Sequence, residues 1–293
     1  MLDGGLATRL EATGHDLRDE LWSARLLADD PAAVVAAHRA FIDAGASVIT
    51  TASYQATVEG FLRRGHRRDH AAGLIASSVE IARRAAVEAA RPVWVAASVG
   101  PYGAALADGS EYRGDYGLSR AELVRFHRPR LALLAEAGPD VLALETIPDI
   151  REAEALLAAL DGLGVPAWLS YTIAGDRTRA VQPLAEAFAL AAAHPDLIAV
   201  GVNCSSPVDA TAAVPVAAKV SGKPVVVYPN SGEQWDALRR RWYGGPTDLV
   251  RSVPDWLRDG ARLIGGCCRV TPEEIRQVAG TVSRPNTGVD ISR

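Results

Sequence analysis

The three cysteines of this sequence have a spacing that suits a metal site better than a disulfide framework. Cys204 stands alone, whereas Cys267 and Cys268 are adjacent. Adjacent residues reach relaxed disulfide geometry with difficulty, because their Cα atoms are only about 3.8 Å apart. A single cysteine is more often core packing than a ligand. Three thiolates without a fourth cysteine are typical of a catalytic zinc site, which keeps one coordination position open.

The open position indicates which chemistry such a site would do. Thiolate ligands are soft and favour a soft exchange partner, such as an incoming thiol. A thiol bound to Zn²⁺ loses its proton at neutral pH, because the cation favours the anion. The six histidines offer no obvious fourth ligand, since they fall in the first loop or on and beside helical segments. The pattern therefore favours alkylation of a thiol over hydrolysis, for which histidine-ligated zinc is usual.

The elements that would position these cysteines alternate regularly along the chain. Short runs rich in branched apolar residues predict seven strands: Ser47–Thr51, Pro92–Ser98, Asp140–Leu144, Pro166–Tyr171, Leu197–Val202, Pro224–Tyr228 and Ala261–Ile264. Between them lie helical patterns: Pro31–Ala44, Asp69–Ala90, Ser119–Ala137, Asp149–Leu160, Leu184–Ala193, Pro207–Val220 and Thr247–Asp259. A last helix, Thr271–Ala279, opens with a capping box of Thr271 and Glu274. Strand and helix in alternation predict a parallel sheet.

Met1–Asp3 would be the end of an eighth strand, placed first. Eight βα units favour a single (β/α)8 barrel of the TIM type, and the chain length suits one such domain of about 250 residues. We expect this domain over residues 1–282 and a flexible tail over 283–293, which has polar and turn character.

In such a barrel, the carboxyl ends of the strands meet at one face. Asp3-Gly4-Gly5 ends the first predicted strand and Glu145-Thr146 the fourth. Asn203-Cys204 ends the sixth and Gly266-Cys267-Cys268 the eighth. All three cysteines are therefore expected at the same mouth of the barrel.

Composition excludes several other classes of protein. The net charge of −4 argues against a nucleic-acid partner, which usually requires a basic surface. No uninterrupted apolar run reaches the length of a membrane span, and the first residues lack the pattern of a signal peptide. We therefore expect a cytoplasmic protein. The absence of an arm or coiled coil after the barrel favours a monomer.

Motifs along nearly the whole chain resemble those of the homocysteine S-methyltransferases, especially the branch that uses S-methylmethionine or S-adenosylmethionine. The most specific is the pairing of Gly201-Val202-Asn203-Cys204 with Gly265-Gly266-Cys267-Cys268-Arg269. The others are Asp3-Gly4-Gly5-Leu6-Ala7-Thr8, Leu21-Trp22-Ser23-Ala24, Thr50-Thr51-Ala52-Ser53-Tyr54-Gln55, Ser98-Val99-Gly100-Pro101-Tyr102-Gly103, Asp108-Gly109-Ser110-Glu111-Tyr112-Arg113-Gly114-Asp115-Tyr116, Glu145-Thr146 and Tyr228-Pro229-Asn230-Ser231-Gly232.

The resemblance implies a (β/α)8 barrel with one zinc ion on Cys204, Cys267 and Cys268, and L-homocysteine bound through its sulfur. By similarity, Asp3 and Glu145 would pair with the ammonium group of homocysteine. The amides around Gly4 and Gly5 would receive its carboxylate. Asn203 is also expected among the substrate-binding residues, and beyond the zinc site no further catalytic residue is predicted.

The methyl donor of that branch is a sulfonium cation, and aromatic faces attract cations. Candidate walls of the donor pocket are Trp22, Tyr54, Tyr102, Tyr112 and Tyr228. The segment 111–116 would be either a lid over the donor or a solvated, salt-bridged loop.

Two alternatives remain open from the sequence. One is another thiol or selenol methyltransferase of the same superfamily, for example one that uses betaine. The other is a zinc buffer or thiol sensor without catalytic activity. The second gives no reason for Asp3, Glu145 and the glycine-rich first loop to face the cysteines.

Overall fold

The computed structural model describes residues 1–236 and 241–282, so the tail predicted for 283–293 lies outside the described residues. Seven strands form one parallel sheet in chain order. They are β1 Val48–Thr50, β2 Trp94–Val99, β3 Val141–Ile147, β4 Ala167–Tyr171, β5 Leu197–Asn203, β6 Val225–Tyr228 and β7 Ala261–Ile264. All seven predicted strands are confirmed. Continuous apolar runs form them because both faces of the sheet are buried.

Helices follow the strands as the sequence predicts. The α-helices are Leu6–Ala12, Leu26–Asp29, Pro31–Asp43, Val58–Arg63, Arg68–Val87, Tyr102–Leu106, Arg120–Glu136, Ile150–Leu160, Leu184–Ala192, Pro207–Ser221, Val253–Arg258 and Pro272–Val282. Short 3₁₀ helices cover Trp22–Arg25, Ser110–Tyr112 and Leu249–Ser252. No helix in the two described stretches is long and apolar enough to cross a membrane.

One predicted helix is wrong in detail. The pattern over Thr247–Asp259 predicts a single helix, but the structure has a 3₁₀ helix over Leu249–Ser252 followed by an α-helix from Val253. Pro254 lies in the first turn of that α-helix, where its missing amide costs no hydrogen bond. The break therefore falls where proline is best tolerated.

The capping box of the last helix is confirmed. The Thr271 hydroxyl accepts from the Glu274 amide at 3.4 Å, and the Glu274 carboxylate accepts from the Thr271 amide at 2.8 Å. Two donors at the start of this helix, which follows the loop of Cys267 and Cys268, are thereby satisfied.

Met1–Asp3 contacts both edge strands of the sheet. The Leu2 amide donates to the Ile264 carbonyl of β7 at 2.8 Å. On the other side, the amides of Ser47 and Val48 donate to the Met1 carbonyl at 2.8 and 3.0 Å, and Leu2 forms a parallel bridge with Val48. The segment lies where the sequence places the first strand, although it forms one bridge rather than a ladder.

The core has two parts, one on each face of the sheet. The larger lies between the strands and the helices and includes Phe41, Ile75 and Leu156. The smaller gathers side chains from all seven strands with Leu2, and its bulkiest members are Trp168 and Tyr228. The second cluster supports the floor of the site described next.

Two short hairpins lengthen the loops that follow β4 and β6, and the sequence analysis did not predict them. Ile173–Ala174 pairs with Arg177–Thr178, and Gln234–Asp236 pairs with Arg241–Tyr243. Both lie after the carboxyl ends of parallel strands, where the functional loops of such sheets lie.

Candidate active site

The three cysteines meet at the carboxyl ends of β5 and β7. Their sulfur atoms all lie within 4.8 Å of one another, and Cys204 Sγ is 3.7 Å from Cys268 Sγ. Cys204 is buried and has a positive φ of 49°, which turns the chain away from β5 toward the other two. The Cys267 amide donates to the Pro229 carbonyl, and the Cys268 amide donates to the Asn230 side chain. The loop after β6 thus holds the adjacent pair in place.

The three thiols shift one another's pKa values. Hydrogen bonds from Cys267 and Cys268 hold the pKa of Cys204 well below its ordinary value, and the charge of Arg179 contributes. The same interactions raise the pKa of both partner thiols. Tyr112 adds a further contact, with its hydroxyl oxygen 3.2 Å from Cys204 Sγ. Without a cation, one thiolate is therefore stabilised at the expense of the other two.

Two buried carboxylates lie close to each other on the other strands. Asp3 accepts from the Thr50 amide at 2.7 Å and from the Thr50 hydroxyl at 2.9 Å. Glu145 accepts from the hydroxyls of Ser98 and, at 2.9 Å, Tyr228. Neither carboxylate has a Lys, Arg or His partner in the part of the chain that the structure describes.

The pKa values of both carboxyls reflect this lack of a cation. Burial, with a smaller contribution from the nearby Glu145 charge, raises the pKa of Asp3 to about 8 despite the opposing hydrogen bonds from Thr50. Burial likewise raises the pKa of Glu145 to about 7, although hydrogen bonds from Ser98 and Tyr228 oppose the shift. A bound cation would favour the charged form of both groups.

One cavity joins the sulfur cluster to Glu145. The predicted site residues that line it are Gly4, Gly5, Trp22, Tyr54, Tyr112, Glu145, Cys204, Tyr228, Cys267 and Cys268. The polar residues Thr8, Ser23, Thr50, Thr51, Ser98 and Thr146 also line it, and the sequence analysis gave them no role. All six stand in the motifs quoted for the family resemblance, which were the signal that could have indicated them.

The Gly4-Gly5 turn is explained by close backbone packing. A Cβ on Gly4 would lie 2.7 Å from the Val270 carbonyl oxygen, and one on Gly5 would lie 2.7 Å from that of Cys267. The Gly5 amide already donates to Val270 at 2.9 Å. The next amides, of Leu6 and Ala7, open a helix and have no acceptor within it. Both residues line the cavity.

Three predicted residues, Asp3, Asn203 and Tyr102, lie outside the cavity lining, and Asp3 is bonded to the lining residue Thr50. Asn203 is fully buried, and its side chain forms hydrogen bonds with Thr146 and Ser170. Its oxygen accepts from the Thr146 amide and the Ser170 hydroxyl, and its nitrogen donates to the Thr146 hydroxyl. It holds Thr146, whose φ of 62° is strained, against the cavity. Asn203 thus contacts the wall of the cavity from behind.

Tyr102 is the third. Its ring packs against Tyr116 at 5.2 Å and Phe126 at 4.9 Å between ring centroids. Its amide donates to Glu152 at 2.5 Å, and Glu152 also contacts His127 Nε2 at 2.8 Å. Tyr102 therefore anchors the loop that carries Tyr112 to the helices outside the sheet.

The remaining predicted aromatic residues all line the cavity. Trp22 and Tyr54 meet edge to face with centroids 5.9 Å apart. Tyr228 lies deeper, where its hydroxyl accepts from Trp168 Nε1 at 3.0 Å and donates to Glu145. Trp22, Tyr54 and Tyr112 are thus the aromatic faces nearest the opening, and Tyr228 belongs to the carboxylate end.

Comparison with known proteins agrees with this arrangement. Residues 1–282 match the homocysteine S-methyltransferase family. Homocysteine S-methyltransferase 4 of Zea mays is 46% identical over 303 residues, covering 96% of this chain and 89% of the relative. A selenocysteine Se-methyltransferase of Brassica oleracea var. italica is 42% identical over 307 residues, covering 95% and 87%.

The fold is also that of a solved relative. The metallated form of the Escherichia coli homocysteine methyltransferase MmuM superposes with a TM-score of 0.85 at 42% identity, covering 95% of this chain and 94% of that one. A match over nearly the whole chain and the clustering of the three cysteines lead to the same conclusion. The chain belongs to the homocysteine S-methyltransferase family.

Proposed function

We propose that this protein transfers a methyl group from a sulfonium donor to the thiol of L-homocysteine and so forms methionine. One observation carries the proposal: a cluster of three thiols and a buried, uncompensated carboxylate line the same cavity. A thiol compound with an ammonium group at its other end would complement both. L-Homocysteine has that form.

The cluster fits a zinc ion. Four ligands at the usual Zn–S distance of about 2.3 Å place sulfur atoms about 3.8 Å apart, close to the 3.7 Å between Cys204 and Cys268. Three cysteines leave the fourth position for the substrate sulfur, and all three sulfurs border the cavity. Bound zinc would supply a substrate thiolate near neutral pH.

The protein's own residues bind and orient the two substrates. Glu145, with Asp3 behind Thr50, would pair with the ammonium group of homocysteine. The free amides of Leu6 and Ala7, which the Gly4-Gly5 turn brings to the cavity, would receive its carboxylate. Asn203 supports this site through Thr146.

The donor would enter between Trp22, Tyr54 and Tyr112, whose faces attract a sulfonium cation. The substrate sulfur then forms a bond to the donor methyl carbon while the donor carbon–sulfur bond breaks. Both electrons of that bond remain with the donor sulfur, which leaves as a neutral thioether. Alignment of the two sulfurs in the cavity would supply the gain in rate.

The sheet that carries this site is best explained as a closed (β/α)8 barrel with Met1–Asp3 as its first strand. Support comes from the hydrogen bonds of Met1 and Leu2 to both edge strands and from Leu2 in the cluster on the inner face. Residues 1–282 would then form one domain, and a cytoplasmic monomer stays our prediction.

A donor panel tests the proposal. Zinc-loaded protein is given S-methylmethionine, S-adenosylmethionine or betaine at constant homocysteine, and methionine is measured. We expect turnover with at least one sulfonium. Turnover with betaine alone would favour the alternative donor. A parallel assay replaces homocysteine by selenocysteine, the acceptor in the name of the Brassica relative. No turnover with any donor would leave a zinc or thiol sensor as the better explanation.

The metal is tested separately by Cys204→Ser. Loss of one of three thiolates should lower the amount of bound zinc, which elemental analysis measures. It should also lower the rate of methionine formation by at least about 100-fold. Glu186→Gln, a change at an exposed position on an outer helix, is the control. Full activity of the serine variant would contradict the zinc site.

A further inference from the structure

Tyr112 has a charged neighbour on each side that the proposed chemistry leaves unused. Glu111 precedes it in the loop after β2. Arg179 follows the hairpin after β4, and its guanidinium carbon lies over the Tyr112 ring, 5.9 Å from the centroid. The Tyr112 hydroxyl is 3.2 Å from Cys204 Sγ. Both charges therefore flank a tyrosine that lines the cavity, although neither side chain is itself among the lining residues.

Each of these side chains holds a buried polar atom without a partner. Over the described residues, Glu111 Oε2 and Arg179 Nε have no hydrogen bond. No ion pair joins either group to another described side chain. Burial raises the pKa of Glu111 to about 7, as expected for a carboxyl without a cation. Buried charged atoms are nearly always paired, so their lack of partners on either side of Tyr112, which lines the cavity, indicates a missing ligand.

The unpaired groups have opposite charges, and homocysteine does not need them. Its ammonium is provided for by Glu145 and its sulfur by the cysteines. The second substrate approaches through the aromatic opening, next to Tyr112. A guanidinium edge with a free Nε matches a carboxylate, and a free carboxylate oxygen matches an ammonium group.

We propose that Arg179 and Glu111 bind the carboxylate and ammonium groups of an α-amino-acid sulfonium, and so select the methyl donor. The inference rests on the proposed function and specifies its donor site. The acceptor would then lie at Glu145, and the donor beside Tyr112 at the Glu111–Arg179 pair. A donor without an ammonium N–H, such as betaine, would satisfy only Arg179.

Steady-state kinetics of Arg179→Gln and Glu111→Gln test the pair, with S-methylmethionine varied at saturating homocysteine. Losing a hydrogen bond between charged groups should raise the donor KM by about tenfold or more. For Glu111→Gln we expect kcat within about twofold of wild type, with homocysteine KM and zinc content unchanged. Arg179→Lys, which keeps the charge, should recover part of the loss. Arg177→Gln and Asp115→Asn, both exposed, are matched controls.

Each other outcome overturns the inference in a recognisable way. A donor KM within twofold of wild type in both variants would remove the pair from donor binding while leaving the proposed function intact. An equal rise in homocysteine KM, or lost zinc, would show a general distortion of the loop instead. Wild-type protein that turns over no sulfonium would overturn the proposed function and this inference together.

Discussion

At the scale of single residues, Glu145 shows how a binding site differs from a stabilising contact. Its carboxylate is buried and receives two hydroxyl hydrogen bonds but no cation from the described residues. Its folded pKa of about 7 lies above the ordinary 4.5, so the folded protein favours the neutral acid. The contribution of Glu145 to the free energy of unfolding is therefore fully present below about pH 4.5, and it is lost as the pH rises through about 7.

Replacing Glu145 by Gln should remove this penalty. Without amino-acid ligand, we expect the variant to melt at a higher temperature than wild type at pH 8 and at about the same temperature at pH 5. Its homocysteine KM should rise by about tenfold or more, because a charged partner of the ammonium is lost. Melting curves over this pH range and kinetics at pH 8 measure the two effects.

Glu186→Gln is again the control, since an exposed carboxylate should leave both melting and KM unchanged. A Glu145→Gln variant that melts lower than wild type at pH 8 would show that the carboxylate is compensated in the folded protein. Asp3 has a second raised pKa, so some pH dependence should remain in the variant.

Sequence reasoning identifies chemical types well but not the direction of side chains. Cys204, Cys267 and Cys268 follow from type and from their places after strands, and they do cluster. Tyr102 shows the limit. It lies in a motif beside the cavity, yet its ring turns toward Phe126. Nothing in a one-dimensional pattern separates a tyrosine facing a ligand from one facing a helix.

At the scale of elements, Gly201 shows why one position of β5 accepts only glycine. A Cβ there would lie 1.8 Å from the Val226 carbonyl oxygen of β6. Because the contact is with backbone, the neighbouring strand would have to move. The glycine that opens Gly201-Val202-Asn203-Cys204 thus serves the approach of two strands that carry the site.

We expect Gly201→Ala to lower the free energy of unfolding by about 3 kcal/mol or more, at the upper end for overpacked cores. Urea unfolding measures the loss. Gly73→Ala is the matched control: it adds the same methyl group to an exposed helix position with open space around it. That change should stabilise by about 0.5–1 kcal/mol. Equal effects at the two positions would contradict the packing argument.

The strands were predicted closely because each is a short, mostly apolar run between turn residues. The hairpin Ile173–Ala174 with Arg177–Thr178 was not, since two-residue strands carry no periodicity. Arg179, which follows this hairpin, could not be placed from sequence for the same reason. Its position over Tyr112 depends on how two loops of different βα units meet.

At the scale of the whole molecule, Leu2 connects the two edges of the sheet. Its backbone bonds to β7 and bridges to β1, and its side chain is only 1% exposed among inward residues of the strands. The sequence indicates an eighth strand only by counting, because Met1–Asp3 is too short to show a pattern. Tertiary contacts, rather than local propensity, define this segment.

Leu2→Ala should therefore lower the free energy of unfolding by about 2–5 kcal/mol, as for other buried leucines. Val87→Ala, at a side chain 82% exposed, should stay within about 0.5 kcal/mol of wild type. Urea midpoints compare the two. A Leu2 variant as stable as the Val87 variant would show that the first residues do not help to hold the edges together.

The joining of the first loop to the last has a consequence for how the protein is made. The Gly266 amide donates to the Asp3 carbonyl at 3.0 Å, and the Arg269 amide donates to the Thr8 hydroxyl, 261 residues away in sequence. During translation Cys204 leaves the ribosome before Cys267 and Cys268, so a nascent chain carries one thiol of an incomplete cluster. The cluster of three thiols can therefore form only after Cys268 has left the ribosome.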